Sequence, residues 1–295
     1  MKILLTGSEG FIGQNLQTFL KDKHQIICID KKTGNDLLTC DLDYDVDIVI
    51  HLAGLSGVRD SLDNPVDYWI NNVVTSHRLF KQFKNTRILY ASSSTAREPW
   101  RNPYAMSKFY MEHIAPANTM GMRFTTVYGP GARKEMFIPK LLRNDVHYVN
   151  TDHKRDFIHV NDLLTAISLL MTNKIKKRKV IDIGTGVSNS LLDITSHLNI
   201  NVEDKRIGTV FERKDNKAQI NALTELGWKP EINLFDYLKE NYDNWRIFKK
   251  EFLYCLLYRW RKKKYWGVNY KWRWKKNDSN YYTFWWKKWL LQSIK

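Results

Sequence analysis

Cysteine is scarce: Cys28, Cys40 and Cys255 are the whole supply in 295 residues. Three thiols cannot build a disulfide framework, so a reducing, cytoplasmic setting is expected. Metal-ligand spacing is missing as well. None of the eight histidines stands with acids or cysteines in a ligand pattern, and no metal is expected. No apolar run approaches the roughly 20 residues that a bilayer-spanning helix needs. Met1 leads directly into an apolar strand, without the charged and apolar regions of a secretory leader. Acidic residues are also in short supply, with 47 Lys and Arg against 31 Asp and Glu, but the deficit is local. Residues 246–295 hold 15 basic residues against Glu251 and Asp278, and residues 1–245 hold 32 against 29. The body is nearly neutral, so an argument for polyanion binding concerns the tail alone.

The body alternates strands with helices. Lys2–Thr6 is apolar and ends at Gly7, and Phe11–Leu20 then carries helical spacing. Gly7, Gly10 and Gly13 therefore occupy a strand-to-helix turn, where backbone can approach a pyrophosphate at a helix N-terminus next to Phe11 and Ile12. The spacing is G-x-x-G-x-x-G rather than G-x-G-x-x-G, and alone it is weak. The next strand, Gln25–Asp30, ends in an acid placed to accept a ribose hydroxyl pair, which argues for NAD. Lys31 and Lys32 follow it and suit a 2′-phosphate, which leaves NADP open behind NAD. Asp41 and Leu42 lie where they could reach the adenine.

Further strands are predicted at Val46–Leu52, Arg87–Ala91, Met122–Val127 and Lys179–Ile183. The pattern is α/β, a Rossmann-type doubly wound parallel sheet with a smaller α/β substrate-binding domain. The NAD-binding part is expected over 1–128 with a return segment 151–186, and the substrate part over 129–150 and 187–245. Leu52, Ala53 and Gly54 form a small-residue turn where backbone can again meet cofactor, while His51 reads best as a satisfied core histidine. Ser93 and Ser94 follow an apolar strand at the edge where such sheets bind ligands. Tyr104 and Lys108, four apart on a predicted helix, share a face and set a phenol beside an ammonium.

Gly7-x-x-Gly10-x-x-Gly13, His51-Leu-Ala-Gly54, Ala91-Ser-Ser-Ser94, Tyr104-x-x-x-Lys108 and Arg155-Asp-Phe-Ile-His-Val160 occur in this order. Over about residues 1–240 the chain resembles the extended short-chain dehydrogenase/reductases of the nucleotide-sugar epimerase/dehydratase family. Gly57–Pro65, Arg123–Pro130 and Gly131–Met136 are most similar to UDP-glucuronate 4-epimerases, and Thr126 stands where UDP-galactose 4-epimerases usually have Asn. Leu226-Gly-Trp-Lys-Pro230 is similar to the family's C-terminal signature. The resemblance implies that Tyr104 is the catalytic base, that Lys108 lowers its pKa and holds the nicotinamide ribose, and that Ser93 handles the sugar. Ser94 replaces Ser93 if the turn is shifted by one. It further implies Arg155 and Arg213 on the nucleotide diphosphate, Asp215 on a ribose, and a homodimer. For an acidic sugar, Arg133 or Lys140 could pair with the carboxylate; each also reads as a solvated surface charge. The loop Thr95–Pro103 is shorter than the family's, so the rim of the site is reshaped.

These residues imply C4 inversion through a transient 4-keto sugar, with UDP-glucuronate as the expected substrate. UDP-glucose 4-epimerization, dehydration and 4-keto reduction are the enzymatic alternatives. Elimination is disfavoured, because Ser94 and Thr95 stand where dehydratases usually carry an acid. Beyond Trp245 basic and aromatic residues interleave, and 246–260 has helical apolar spacing. Tryptophan with lysine suits an anionic membrane boundary, so peripheral membrane or protein docking is expected. Stacking on single-stranded nucleic acid ranks behind it. A non-enzymatic docking or nucleic-acid module is disfavoured by the joint presence of Ser93, Tyr104 and Lys108.

Overall fold

The computed structural model describes residues 1–173, 180–206 and 210–243. The chain divides into two units, 1–246 and 247–295. The helix expected over 246–260, the rest of the basic aromatic tail and Lys179 lie outside the described residues.

Six parallel strands form the central sheet in the order β2 (Gln25–Ile29), β1 (Lys2–Thr6), β3 (Ile48–His51), β4 (Arg87–Ser93), β5 (Thr119–Phe124), β9 (Val180–Ile183). Successive side chains of a strand face opposite sides, and here both sides are apolar. Ile3, Leu5, Ile48, Ile50 and Leu89 enter one core with Leu16 and Leu20 of α1 (Phe11–Leu20) and with α7 (Val160–Thr172). Leu4, Val49, Ile88 and Tyr90 enter the other with Leu79 and Phe80 of α4 (Thr75–Gln82) and Met111 of α5 (Pro103–Ile114). Helices on both faces of a parallel sheet make a doubly wound α/β fold.

The predicted strand Met122–Val127 is two strands. β5 ends at Phe124, and β6 (Thr126–Tyr128) leaves for a second sheet of order β10 (Ser188–Ser190), β8 (Lys154–His159), β6. Between them the Thr125 amide makes the last bond of the β5–β9 ladder, to the Ile183 carbonyl at 3.1 Å, and the chain leaves the central sheet after it. Of the return segment, α7 and β9 rejoin the central sheet while β8 pairs with β6. A third core gathers Ile138 and Leu141 of α6 (Phe137–Leu142), Val149 of β7 (Tyr148–Val149), Ile194 of α8 (Leu191–His197), and Leu234 and Leu238. Among the described residues no helix is long and apolar enough to cross a membrane.

Candidate active site

The glycine turn is built from backbone contacts that exclude side chains. Gly7 has φ +72°, and a Cβ there would lie 2.5 Å from the Ala53 amide nitrogen. A Cβ on Gly13 would lie 2.2 Å from the Gly7 carbonyl oxygen. Gly10 is different: a Cβ there would meet only the Gly7 carbonyl at 3.2 Å, so its other side is open. It begins α1 without a side-chain cap, and uncapped helical N–H groups suit an anion. Phe11 and Ile12 are half-buried against the first core. Asp30, just past β2, accepts from the Glu9 amide at 2.9 Å and the Lys32 amide at 2.9 Å, so it fastens the turn to the strand end where a ribose would stand. These residues fit a dinucleotide: a Cβ-free cradle, an uncapped helix start and an acid at the next strand end. Asp41 is exposed, whereas the Leu42 side chain is packed in the second core.

Ala53 lies against Gly7, and the following Gly54 is exposed with φ +149°. A Cβ on Gly54 would sit 3.3 Å from Lys108 Nζ and 2.7 Å from Asn72 Oδ1. Leu52 is half-buried against the first core. His51 is 1 % exposed, with Nδ1 2.7 Å from Thr6 Oγ1 and Nε2 2.9 Å from Ser76 Oγ. Burial pushes its pKa down to about 3, with the Lys108 charge adding to the shift. It is the satisfied core histidine that was expected.

Helix α5 starts sharply because Asn102 caps it, accepting from the Ala105 amide at 2.8 Å, with Pro103 in the first turn. Such a cap contributes about 1 kcal/mol and here fixes the register of Tyr104 and Lys108. Tyr104 is half-buried, burial raises its pKa and the nearby Ser93 side chain draws it back down, and it packs edge-on against Tyr68 with ring centroids 5.9 Å apart. Ser93 also accepts from Thr95 Oγ1 at 2.9 Å. Ser92 is turned inward to Glu112, and Ser94 gives its carbonyl to Arg213. Ser93 is thus the serine that meets the phenol. Lys108 is 4 % exposed and donates to the Ala91 carbonyl of β4 at 2.9 Å.

The electrostatics differ from expectation in one respect. Burial raises the Tyr104 pKa above its ordinary value, and the groups that pull it back are Ser93 and Arg133, not Lys108. Burial also lowers the Lys108 pKa to about 8, opposed by the Glu112 charge. One of the three lysine N–H donors goes to a β4 carbonyl, which braces the helix against the sheet. Arg133 is exposed on the loop before α6, with Nη1 3.4 Å from the Ser56 carbonyl.

Of the remaining expected residues, Arg213 and Asp215 lie on segment 210–217, and Thr126 of β6 and Arg155 of β8 bond to it. Asn216 donates to Thr126 Oγ1 at 3.1 Å, and Lys154 of β8 bridges Asp215. Asp215 accepts from Ser188 Oγ at 2.5 Å. Arg155 donates to Glu212 at 3.1 Å and lies 3.1 Å from His153 Nδ1. Arg213 donates to Glu98 at 2.8 Å and to the Ser94 carbonyl at 2.8 Å, and Glu98 also binds Arg101. Both arginines expected on a diphosphate are therefore held by glutamates. Arg101 and Asn102 add hydrogen bonds to the Val210 and Phe211 carbonyls, so the short rim loop is laced to this segment.

Sequence reasoning missed Asn72, Glu98, Glu112 and Glu212. Asn72 sits in a π-helical turn, Ile70–Val74, between α3 (Pro65–Trp69) and α4. It binds both Leu55 backbone groups and Ser107, pinning the Gly54 turn against α5. Glu112 follows Tyr104 and Lys108 at the same four-residue step, a signal that was available.

Several known proteins are similar to this chain. MoeE5, solved in complex with UDP-glucuronic acid and NAD, is 27 % identical, covers 84 % of this chain and 100 % of its own, and superposes with a TM-score of 0.72. The UDP-glucuronic acid 4-epimerase of Bacillus cereus, solved with UDP-glucuronic acid and NAD, is 26 % identical over 84 % of this chain and 100 % of its own, with a TM-score of 0.70. The UDP-glucuronate 4-epimerase of Thermodesulfobacterium geofontis is 26 % identical over 82 % of this chain and 95 % of its own. The family model for NAD dependent epimerases/dehydratases matches residues 3–184. With the glycine turn, the capped Tyr104 helix and the strand-end serine in place, the chain belongs to the NAD dependent epimerase/dehydratase family of nucleotide-sugar enzymes.

Proposed function

We propose that the protein inverts C4 of UDP-glucuronate. One observation supports this most: Ser93, Tyr104 and Lys108 gather at the end of β4, and the Lys108 amine lies beside Gly54, next to the Ala53 backbone that closes on the glycine turn. When bound, NAD supplies the acceptor and then the donor of the C4 hydride. Gly7, Gly10, Gly13 and Asp30 would hold it. Tyr104 Oη takes the C4 hydroxyl proton and returns it after the sugar has turned, while Ser93 Oγ holds the reacting oxygen. Burial opposes the phenolate, so Tyr104 needs added positive charge to act as a base near neutrality. Arg133 supplies some of it, and its exposed guanidinium can also receive a sugar carboxylate in bidentate fashion. This supports an acidic sugar. The neutral sugar UDP-glucose is the second reading, because MoeE5 is also solved with UDP-glucose and NAD. Incubating the protein with NAD and each nucleotide sugar decides between them. The C4 epimer of UDP-glucuronate is the expected product, and a 4-keto-6-deoxy product or turnover of UDP-glucose alone would contradict the assignment.

A cytoplasmic homodimer belongs to the same proposal. α3 and α5 expose Val66, Trp69, Met106 and Tyr110, with the Trp69 and Tyr110 rings 4.9 Å apart. Sedimentation equilibrium should give twice the 35.0 kDa chain mass. The basic aromatic residues 246–295 are proposed to dock the enzyme on an anionic membrane. Anionic liposomes should retain the full chain and not a chain ending at Asn244.

A further inference from the structure

Glu112 lies two helical turns beyond Tyr104 and one beyond Lys108, which places the three on one face of α5. It is 8 % exposed, and a buried carboxylate without partners is costly. Its partners are Ser92 Oγ at 2.5 Å, Arg123 Nε at 2.8 Å and Arg123 Nη2 at 2.5 Å. Ser92 immediately precedes the serine that meets Tyr104, and Arg123 belongs to β5. One carboxylate therefore ties the catalytic helix to the ends of β4 and β5. It is also the acid whose charge acts on Lys108.

We propose that Glu112 is a positioning residue for the catalytic lysine, holding α5 on β4 and setting a carboxylate charge one helical turn from the Lys108 amine. The inference rests on the reading of Tyr104 and Lys108 as the reacting pair. The groups around Lys108 leave this task to Glu112. His51 of β3 is held neutral by burial, and the Gly54 turn and Asn72 contribute uncharged atoms. Tyr90 of β4 and Tyr104 of α5 are phenols with raised pKa values. Arg123 is positive, and Asp182 of β9 is paired with Arg97 at 2.7 Å.

Two substitutions break the same ion pair with opposite consequences for the amine. Glu112→Gln removes the negative charge and Arg123→Gln the competing positive one. The readout is the pH titration of Lys108 by carbon NMR of lysine-ε-carbon-labelled full-length protein, its signal assigned by its loss in Lys108→Met. Glu112→Gln is expected to lower the Lys108 titration by about one pH unit, a tenfold drop in proton affinity, and Arg123→Gln to leave it unchanged or raise it. A purely structural clamp would make both variants behave alike. Both falling together, or no shift in Glu112→Gln, overturns the proposal. If Glu112→Gln does not fold, Arg123→Gln decides alone: a titration at or above that of the unsubstituted protein supports the role, and a lower one refutes it. The titration needs no turnover, so a wrong substrate assignment would leave its outcome intact.

Discussion

The glycine turn and segment 210–217 are built from opposite materials. The turn is backbone against backbone, with Gly13 and Gly7 so close to neighbouring main chain that no side chain fits. The segment is held by part-exposed ion pairs, Arg213 with Glu98 and Arg155 with Glu212. Rigid backbone geometry leaves a sequence signature because only one residue type satisfies it. An ion pair between residues 115 positions apart leaves none.

The sharpest way to break this contrast is at the reacting phenol. Tyr104→Phe should lower kcat by about 100- to 10,000-fold while the unfolding curve moves little, since only the hydroxyl is lost. Gly13→Ala should come next, destabilising the protein by about 3 kcal/mol or more as the turn is forced off α1, read by urea unfolding and by loss of NAD binding in calorimetry. A third test uses pH. The His51 pKa is about 3 in the fold and about 6.5 in an unfolded chain. The unfolded state therefore binds the extra proton first, and stability falls as pH drops from about 6.5 toward 3, by about 1.4 kcal/mol per unit from this group alone. Urea midpoints at pH 7 and pH 5 check it. His51→Gln should flatten the slope without abolishing it, because burial also lowers the pKa values of His153 and His159. The smallest effect is expected at the segment itself. Glu98→Gln should change KM severalfold with kcat nearly constant, and stability by less than about 1 kcal/mol, as for other partly exposed pairs.

Much of this was legible in residue order. The sheet, both helical layers, the glycine turn, Asp30, Ser93, Tyr104 and Lys108 announce themselves through periodicity and special residues. The break at Thr125 does not, because Met122–Val127 is continuous in character and the strand ends only where its pairing with distant Ile183 runs out. Glu112 was passed over because a single glutamate on a helix reads as a solvated charge until burial shows otherwise. Asn72 depends on a π turn that swings it inward, which spacing at 3.6 residues cannot anticipate. The resemblance implies that Lys108 acidifies Tyr104, whereas in the free protein the ammonium donates to the Ala91 carbonyl.

The central claim is that C4 is oxidised and reduced again within one closed site. UDP-glucuronate carrying deuterium at C4, turned over in ordinary water, tests it most directly. The C4 epimer should retain the label at C4, as mass spectrometry and proton NMR would show; loss of the label to solvent, or its recovery at another carbon, would contradict the account.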